Sequence, residues 1–471
     1  MHKFFPYLWS LLNTGGSQAI GFLASLVIAR AASPDDFGVL AVCSSIVLVF
    51  NIFAEGGLAT VLVVDKKFCN KKASTALIVI TIIAFISFFI ILFAAELLAE
   101  ILGVARVKDV IPIMALATVA SSLGCVHSAY VTRTLQFKKK SIISLVSSLI
   151  GSASGILIAY LVDPLTGLVT MYVTIPCLIT AGLWASVSWG FHMTFKPRLV
   201  FSDLKFSLNI VASNLLDQSS KSILVLFVNK IFGINDLGLY NRGEAIRNIT
   251  TQTADKVVQR VAFPVLSESS RVEGKSTSFL ESTKIAMVLL LILVPSVYFL
   301  TNNALGIVDV LFGKKWLAVS PILKIISLVG LFIPLTSLHF SFMKASGDAA
   351  LVTMNKIFAL ACYMPLFFFY AERDLDSFLY AVVLHAGFMF IVSVFSLYKL
   401  DGVELPIYIQ RLVGACFIAS IPVFLHKYLI SFELEGTFSN LVANLATLSL
   451  MTMLIYFVVN LVLKRKSAYL L

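Results

Sequence analysis

Twelve apolar runs, each long enough to cross about 30 Å of hydrocarbon, recur along this chain. They lie at 7–29, 37–64, 74–95, 110–131, 141–161, 165–189, 285–300, 321–343, 351–370, 378–397, 409–425 and 441–463. Inside hydrocarbon every backbone N–H and C=O must find its partner within the protein, so such runs commit the chain to helices. Two further stretches, 206–228 and 241–266, are long enough to span but polar. With them the expected fold is an all-α polytopic membrane protein of about 14 transmembrane helices. A hydrophobic content of 59%, a charged content of 13% and a mean hydropathy of +0.95 exclude an ordinary soluble domain.

Loop charge tests whether the polar pair crosses. With the amino terminus in the cytoplasm, the inside segments carry Lys66, Lys67, Lys71 and Lys72, then Arg133 and Lys138 to Lys140, then Lys196, Arg198 and Lys205, then Arg271, Lys275 and Lys284, and the tail adds Lys464 to Lys466. This bias follows the positive-inside rule, places both termini in the cytoplasm, and persists beyond residue 267 only if 206–228 and 241–266 both span. A helix lying on the membrane surface is the alternative for 241–266. The net charge of +11 is therefore topology plus attraction to anionic headgroups, and no nucleic-acid partner is implied. The first apolar run is longer than the core of a signal peptide and ends at Ala29 and Arg30 without a small-residue cleavage pattern, so it is expected to remain in the membrane.

Catalytic and metal chemistry find little support. Cys43, Cys69, Cys125, Cys177, Cys362 and Cys416 show no ligand spacing and read as small packing residues. His127, His339 and His385 lack a second ligand at metal spacing and read as satisfied core histidines. No phosphate-binding loop, nucleophile elbow or zinc-protease motif occurs, so no cofactor, metal or built-in ATP motor is expected.

The segment 240–267 stands apart from the apolar runs, because it carries Arg242, Glu244, Arg247, Asp255, Lys256 and Arg260. Each ionised side chain at the centre of a span costs roughly 2.5 to 3.5 kcal/mol on insertion scales, so such a cluster is expected to line a wet cavity. Glu244, Asn248, Gln252, Asp255 and Gln259 fall at steps of three and four and draw a polar stripe, with Ile246, Ile249, Val257 and Val261 off it.

An internal repeat organises the whole. Ser33, Pro34, Asp35, Asp36, Phe37 and Gly38 follow the first run, and Gly233, Ile234, Asn235, Asp236, Leu237 and Gly238 follow the polar stretch 206–228, the seventh expected helix, at an offset of 200 residues. Pro112 and Pro321 each open a helix that ends at a basic residue, Arg133 or Lys344. Six helices per copy is an even number, so the copies share one orientation about an axis along the membrane normal. The expected lobes are 1–200 and 201–400, with an additional helix pair and basic tail at 401–471. The aspartate of each repeated loop is expected to cap the next helix, and the glycine to permit a tight turn.

These residues carry a resemblance. The stretch from Ala29 to Gly38, Gly56 to Leu58, Arg133 to Lys138, Phe201 to Leu204, Gly238 to Arg242 and Phe263 to Ser267 resemble polysaccharide-repeat flippases of the Wzx type, in the MOP (multidrug/oligosaccharidyl-lipid/polysaccharide) exporter superfamily, over nearly the whole chain. The resemblance implies a transporter, not an enzyme, in a bacterial inner membrane. Its implied cargo is an undecaprenyl-diphosphate-linked oligosaccharide repeat unit for O-antigen, capsule or exopolysaccharide synthesis, moved by alternating access beside a polysaccharide polymerase or ligase.

Such a cargo needs a cationic, wet path. Lys221, Arg247, Lys256, Arg260 and Arg242 are the candidate contacts to diphosphate or acidic sugars, Arg242 being placed near the outer interface where it could snorkel. Asn214, Gln218, Asn248, Gln252 and Gln259 are candidate partners of sugar hydroxyls. Asp217 and Lys221 are spaced i, i+4, so mutual neutralisation is their alternative role. Glu55, alone in an apolar stretch, is with Asp217 and Asp255 a candidate for ion coupling, the alternative for Glu55 being a carboxylate satisfied by a neighbouring helix. Tyr7, Trp9, Trp189, Trp316 and Tyr456 sit near span ends as expected interfacial anchors. The rival readings are a MATE-like small-molecule or cation antiporter, which an acidic cavity would suit, and a membrane-embedded glycosyltransferase, which would need a large outside loop bearing catalytic acids or bases.

Overall fold

The computed structural model describes residues 9, 12–65, 68–191, 194–201, 203–370, 374–400, 403–429 and 437–468. All regular structure among them is helical. The α-helices are α1 (Ser17–Ala29), α2 (Pro34–Val64), α3 (Asn70–Leu102), α4 (Val107–Arg133), α5 (Phe137–Leu161), α6 (Pro164–Ser186), α7 (Arg198–Phe201), α8 (Leu204–Val257), α9 (Phe263–Val272), α10 (Lys275–Asn302), α11 (Ala304–Phe312), α12 (Val319–Ile326), α13 (Val329–Ala345), α14 (Ala349–Tyr370), α15 (Leu375–Tyr398), α16 (Leu405–Leu429) and α17 (Thr437–Ala468). Ten stretches among the described residues are long and apolar enough to cross a membrane, and three shorter apolar helices join them.

One of the ten is double. α8 has 54 residues, about 80 Å at 1.5 Å per residue, more than twice the hydrocarbon thickness. It bends at Gly233, whose φ of +88° only glycine adopts readily, so its two lengths supply two crossings and the total agrees with about fourteen. The chain breaks at the same register in the other copy of the repeat, where Ser33 is the extended N-cap of α2.

The contacts divide the chain into two units, Met1–Gly238 and Leu239–Leu471. In the first, α5 packs on α6, α3 and α2 on α4, and α4 on α6. Lipid tails are as apolar as the helix surfaces, so association depends on close packing rather than on the hydrophobic effect. Small residues four apart supply that fit on α5, where Ser147, Gly151, Gly155 and Ala159 form its buried edge. In the second unit α10 packs on α16 and α13, and α15 on α13 and α14.

The first repeated loop is built as a capping box. Asp36 Oδ2 accepts from the Ser33 N–H and hydroxyl, each at 2.7 Å, Ser33 Oγ accepts from the Asp36 N–H, and Pro34 opens the helix. Asp36 also holds Arg106 Nη1 at 2.9 Å. The glycines act differently from the expected tight turn. Gly38 and Gly238 are helical and mark a reciprocal close approach: a Cβ on Gly238 would lie 1.8 Å from the Pro34 carbonyl oxygen, and one on Gly38 would lie 2.2 Å from the Ile234 carbonyl oxygen. Asn235 Nδ2 donates to Asp35 Oδ1 at 2.9 Å across the same contact. Residues 34–38 thus face 234–238 as an isologous pair, the arrangement a two-fold-related repeat produces.

The buried histidines are satisfied or packed. In the second unit His339 bonds Ser393 Oγ through Nδ1 at 2.6 Å and the Tyr408 hydroxyl through Nε2, tying α13 to α15 and α16. His385 Nε2 lies 3.1 Å from the Ala359 carbonyl, with its ring stacked on Tyr363. His127 packs between Trp184 and Trp189. Two tryptophans differ from the expected interfacial anchors. Trp189 is buried against Phe68, His127 and Phe191, and Trp316 is fully buried with its ring beside Phe312. Trp9 carries Lys138 over its ring, while the side chains of Tyr7 and Tyr456 lie outside the described residues. All six cysteines are free thiols; Cys43 is buried, whereas Cys69, Cys177 and Cys416 are exposed rather than packed.

Candidate functional site

A cavity of about 780 Å³ opens within the first unit, between α2, α4, α6 and the first length of α8. Each helix contributes one face. Leu48, Ile52, Ala59 and Val63 step along α2, Ser121, Cys125, Ser128 and Thr132 along α4, Pro176, Ile179 and Leu183 along α6, and Ile210, Asn214 and Gln218 along α8. Asn51, Thr60 and Thr180 add further polar atoms. Among the described residues, none that lines the cavity is charged.

This lining combines an apolar wall with amides and hydroxyls that can donate and accept. Gln218 Nε2 reaches Ser222 Oγ at 3.2 Å, and Ser222 donates on to the Ser45 carbonyl at 2.9 Å, which holds α8 against α2. Thr132 and Thr180 donate to the carbonyls of Ser128 and Ala120 at 2.8 and 2.7 Å, leaving their oxygens able to accept. At one end of the unit Lys72 is held by Asp65 at 2.6 Å and also by Asp203, so the end of α2, the start of α3 and the approach to α8 are joined by one cation.

Two of the sequence-expected polar residues, Asn214 and Gln218, line this cavity. Asp217 and Lys221, on the same helix, are exposed and lie outside the lining. Asn51, Thr60, Ser121, Ser128, Thr132 and Thr180 line it without having been singled out in the sequence. Their signal was present on α4, where 121, 125, 128 and 132 recur at helical spacing among apolar neighbours.

The other expected residues belong to the second length of α8. Arg247 is buried there, with Nη2 2.9 Å from Glu244 Oε1 and 2.8 Å from Asn248 Oδ1, and its Nε has no hydrogen-bond partner among the described residues. Thr250 and Thr251 donate to the Arg247 carbonyl at 2.8 and 2.9 Å. Arg242 does not snorkel. It is buried, with Nη2 donating to Asn241 Oδ1 at 2.8 Å, because its helix face turns into the unit rather than toward the membrane surface.

The polar stripe on this helix is its less buried face. Glu244, Asn248, Asp255 and Lys256 are half-buried and Gln252 and Gln259 exposed, while Ile246 is buried; Ile249 is exposed beside the stripe. Gln259 Nε2 approaches Ser337 Oγ at 3.4 Å. The side chains of Glu55 and Arg260 lie outside the described residues.

The chain is 24% identical over 351 residues to the succinoglycan biosynthesis transport protein ExoT of Rhizobium meliloti (strain 1021), which covers 73% of this chain and 69% of that protein. Among solved structures it is similar to the lipid II flippase MurJ, with a TM-score of 0.75 at 13% identity, covering 98% of this chain and 100% of the other. It is also similar to an inward-facing multidrug resistance transporter of the MATE family, with a TM-score of 0.63 at 14% identity, covering 84% and 95%. At these identities the two structural likenesses establish the fold. The family model described as polysaccharide biosynthesis protein matches residues 27–321, and with well over half of its length so matched, this chain belongs to that family.

Proposed function

We propose that this chain is a flippase that carries an undecaprenyl-diphosphate-linked oligosaccharide repeat unit from the cytoplasmic to the outer leaflet of the inner membrane by alternating access. It serves O-antigen, capsule or exopolysaccharide synthesis and is not an enzyme. The observation that carries this reading is the cavity of about 780 Å³ whose described lining adds amides and hydroxyls, and no charged residue, to an apolar wall. Polar groups within a membrane-spanning bundle are costly unless they are hydrogen-bonded, and a glycan presents hydroxyls that match such a lining. Among the described lining residues an organic cation would find no counter-charge, which favours this reading over a drug antiporter.

In this reading Asn214 and Gln218 hydrogen-bond sugar hydroxyls, as do Asn248, Gln252 and Gln259. Arg242, Arg247, Lys256, Lys221 and Arg260 serve the anionic parts of the cargo during passage. Glu55, Asp217 and Asp255 are the groups proposed to couple transport to an ion gradient. The repeat defines the lobes 1–200 and 201–400, the helix pair within 401–471 stands outside it, and both termini face the cytoplasm, where the loop charge places them. A polysaccharide polymerase or ligase takes over the cargo.

Export per folded protein, measured as surface polymer in cells dependent on this gene, tests the assignment. Arg247→Ala is expected to lower export several-fold, with Arg247→Lys intermediate, because a lysine keeps the charge and loses the fork. Glu55→Gln is expected to remove the response of export to an imposed pH gradient. Unchanged export in either variant removes that residue from the mechanism.

A further inference from the structure

Arg133 occupies the end of the cavity-lining face of α4. That face runs through Ser121, Cys125, Ala129 and Thr132, and Arg133 follows Ala129 by four residues, one further helical turn. Its guanidinium reaches across to α2, where Nη1 donates to the Leu62 carbonyl at 2.9 Å and the Val63 carbonyl at 3.4 Å, Val63 being itself a lining residue. The Phe68 ring lies 5.9 Å below it.

The charge at Arg133 is not spent. Among the described residues no carboxylate lies within ion-pair distance of it, whereas Lys72, beyond the end of α2, is held between Asp65 and Asp203. Carbonyl contacts through Nη1 leave Nη2 and Nε, an edge suited to a bidentate oxyanion. The next helix begins beside it: Lys140 Nζ lies 3.3 Å from Thr132 Oγ1, on the lining, and Lys139 reaches the Ser186 carbonyl at the end of α6. A cavity whose described lining is uncharged thus ends in a half-buried arginine flanked by lysines, on the segment whose basic loop charge marks it as cytoplasmic.

We infer that Arg133 is the group that receives the diphosphate of the cargo when it loads from the cytoplasmic leaflet, with the glycan in the amide- and hydroxyl-bearing cavity and the polyprenyl tail in lipid. This inference rests on the proposed function and gives the cargo's anionic linkage a site in the first unit, separate from the cations of α8. Arginine rather than lysine is needed, because a planar fork engages two phosphate oxygens at once.

Full-length protein in nanodiscs, titrated with farnesyl diphosphate and with farnesol, supplies the test. Wild type is expected to prefer the diphosphate, Arg133→Ala to weaken that binding roughly tenfold or more, and Arg133→Lys to fall between. Arg133 also caps α2, so a measurement on unaltered protein stands beside the variants: modification of Arg133 by phenylglyoxal, read by mass spectrometry, is expected to slow with farnesyl diphosphate and not with farnesol. If wild type prefers the diphosphate while Arg133→Ala binds equally and Arg133 is not protected, the inference fails and the flippase reading stands. If wild type does not distinguish diphosphate from farnesol, the flippase reading itself fails. Equal protection by phosphatidylglycerol alone would mark an ordinary anionic-lipid contact and overturn the diphosphate assignment.

Discussion

Gly238→Ala is expected to remove most of the folded protein from the membrane. The new Cβ would lie 1.8 Å from the Pro34 carbonyl oxygen and 2.5 Å from its carbon, and both are backbone atoms that no rotamer change can withdraw. One of the two segments must move, yet each is fixed by other bonds: the Ser33 and Asp36 capping box, the Asp36 to Arg106 ion pair and the Asn235 to Asp35 hydrogen bond. Overpacking a well-packed contact costs about 1–3 kcal/mol, and the absence of a flexible neighbour puts this site at the upper end. Gly38→Ala, with 2.2 Å to the Ile234 carbonyl oxygen, is expected to follow closely.

Because the two glycines sit on opposite sides of one reciprocal contact, the double variant is expected to lose less than the sum of the single losses, as residues sharing a contact do. Gly414→Ala is the control. It lies in a helix with nothing within 4 Å of the added atom, and a helical Gly→Ala change in open space costs nothing or stabilises slightly. Thermal unfolding in detergent together with membrane abundance measures all four. Equal behaviour of Gly238→Ala and Gly414→Ala would contradict the close packing described.

Ser128→Trp is expected to cut export at least tenfold while leaving protein abundance near normal. Ser128 lies midway along the lining face of α4, so an indole there projects into a space of about 780 Å³ rather than into packed core. It would displace the glycan without the strain of a core insertion. Ser128→Ala removes only a hydroxyl and is expected to change export by a few-fold at most, in keeping with about 0.5–1.5 kcal/mol for one hydrogen bond. Ile150→Trp, on an exposed face of α5, controls for bulk in the bundle. Normal export by Ser128→Trp would show that the cargo does not use this cavity.

The helical fold was legible because its cause is local: a run of about twenty apolar residues can satisfy its backbone in hydrocarbon in one way. The repeat was legible too, since the 200-residue offset reappears in the chain breaks at Ser33 and Gly233 and the contacts at Gly38 and Gly238. What the two glycines do was not, because proximity to a carbonyl on another helix leaves no trace in neighbouring residues. The same reason explains Arg242, Trp189 and Trp316. Position near a span end suggested the interface, while burial depends on which side chains pack against them.

The candidate site was half legible. Charged residues stand out in an apolar chain and make 240–267 conspicuous, yet Arg247 there is already engaged by Glu244 and Asn248. The cavity in the first unit is lined instead by Ser, Thr and Asn, which are common in spanning helices and often bond their own backbone, as Thr132 does to Ser128. Only the convergence of four helices separates the hydroxyls that line a space from those that do not.

Movement of a lipid-linked glycan between leaflets, the function proposed for this chain, can be measured in cells with and without the gene, by mass spectrometry of polyprenyl-linked lipids combined with a leaflet-accessibility probe for the glycan. Loss of the gene is expected to cause complete repeat units to accumulate on polyprenyl diphosphate in the cytoplasmic leaflet while the surface polymer disappears. Unchanged lipid-linked glycans, leaflet distribution and surface polymer, in a strain that expresses the glycan and has no second exporter, would contradict it.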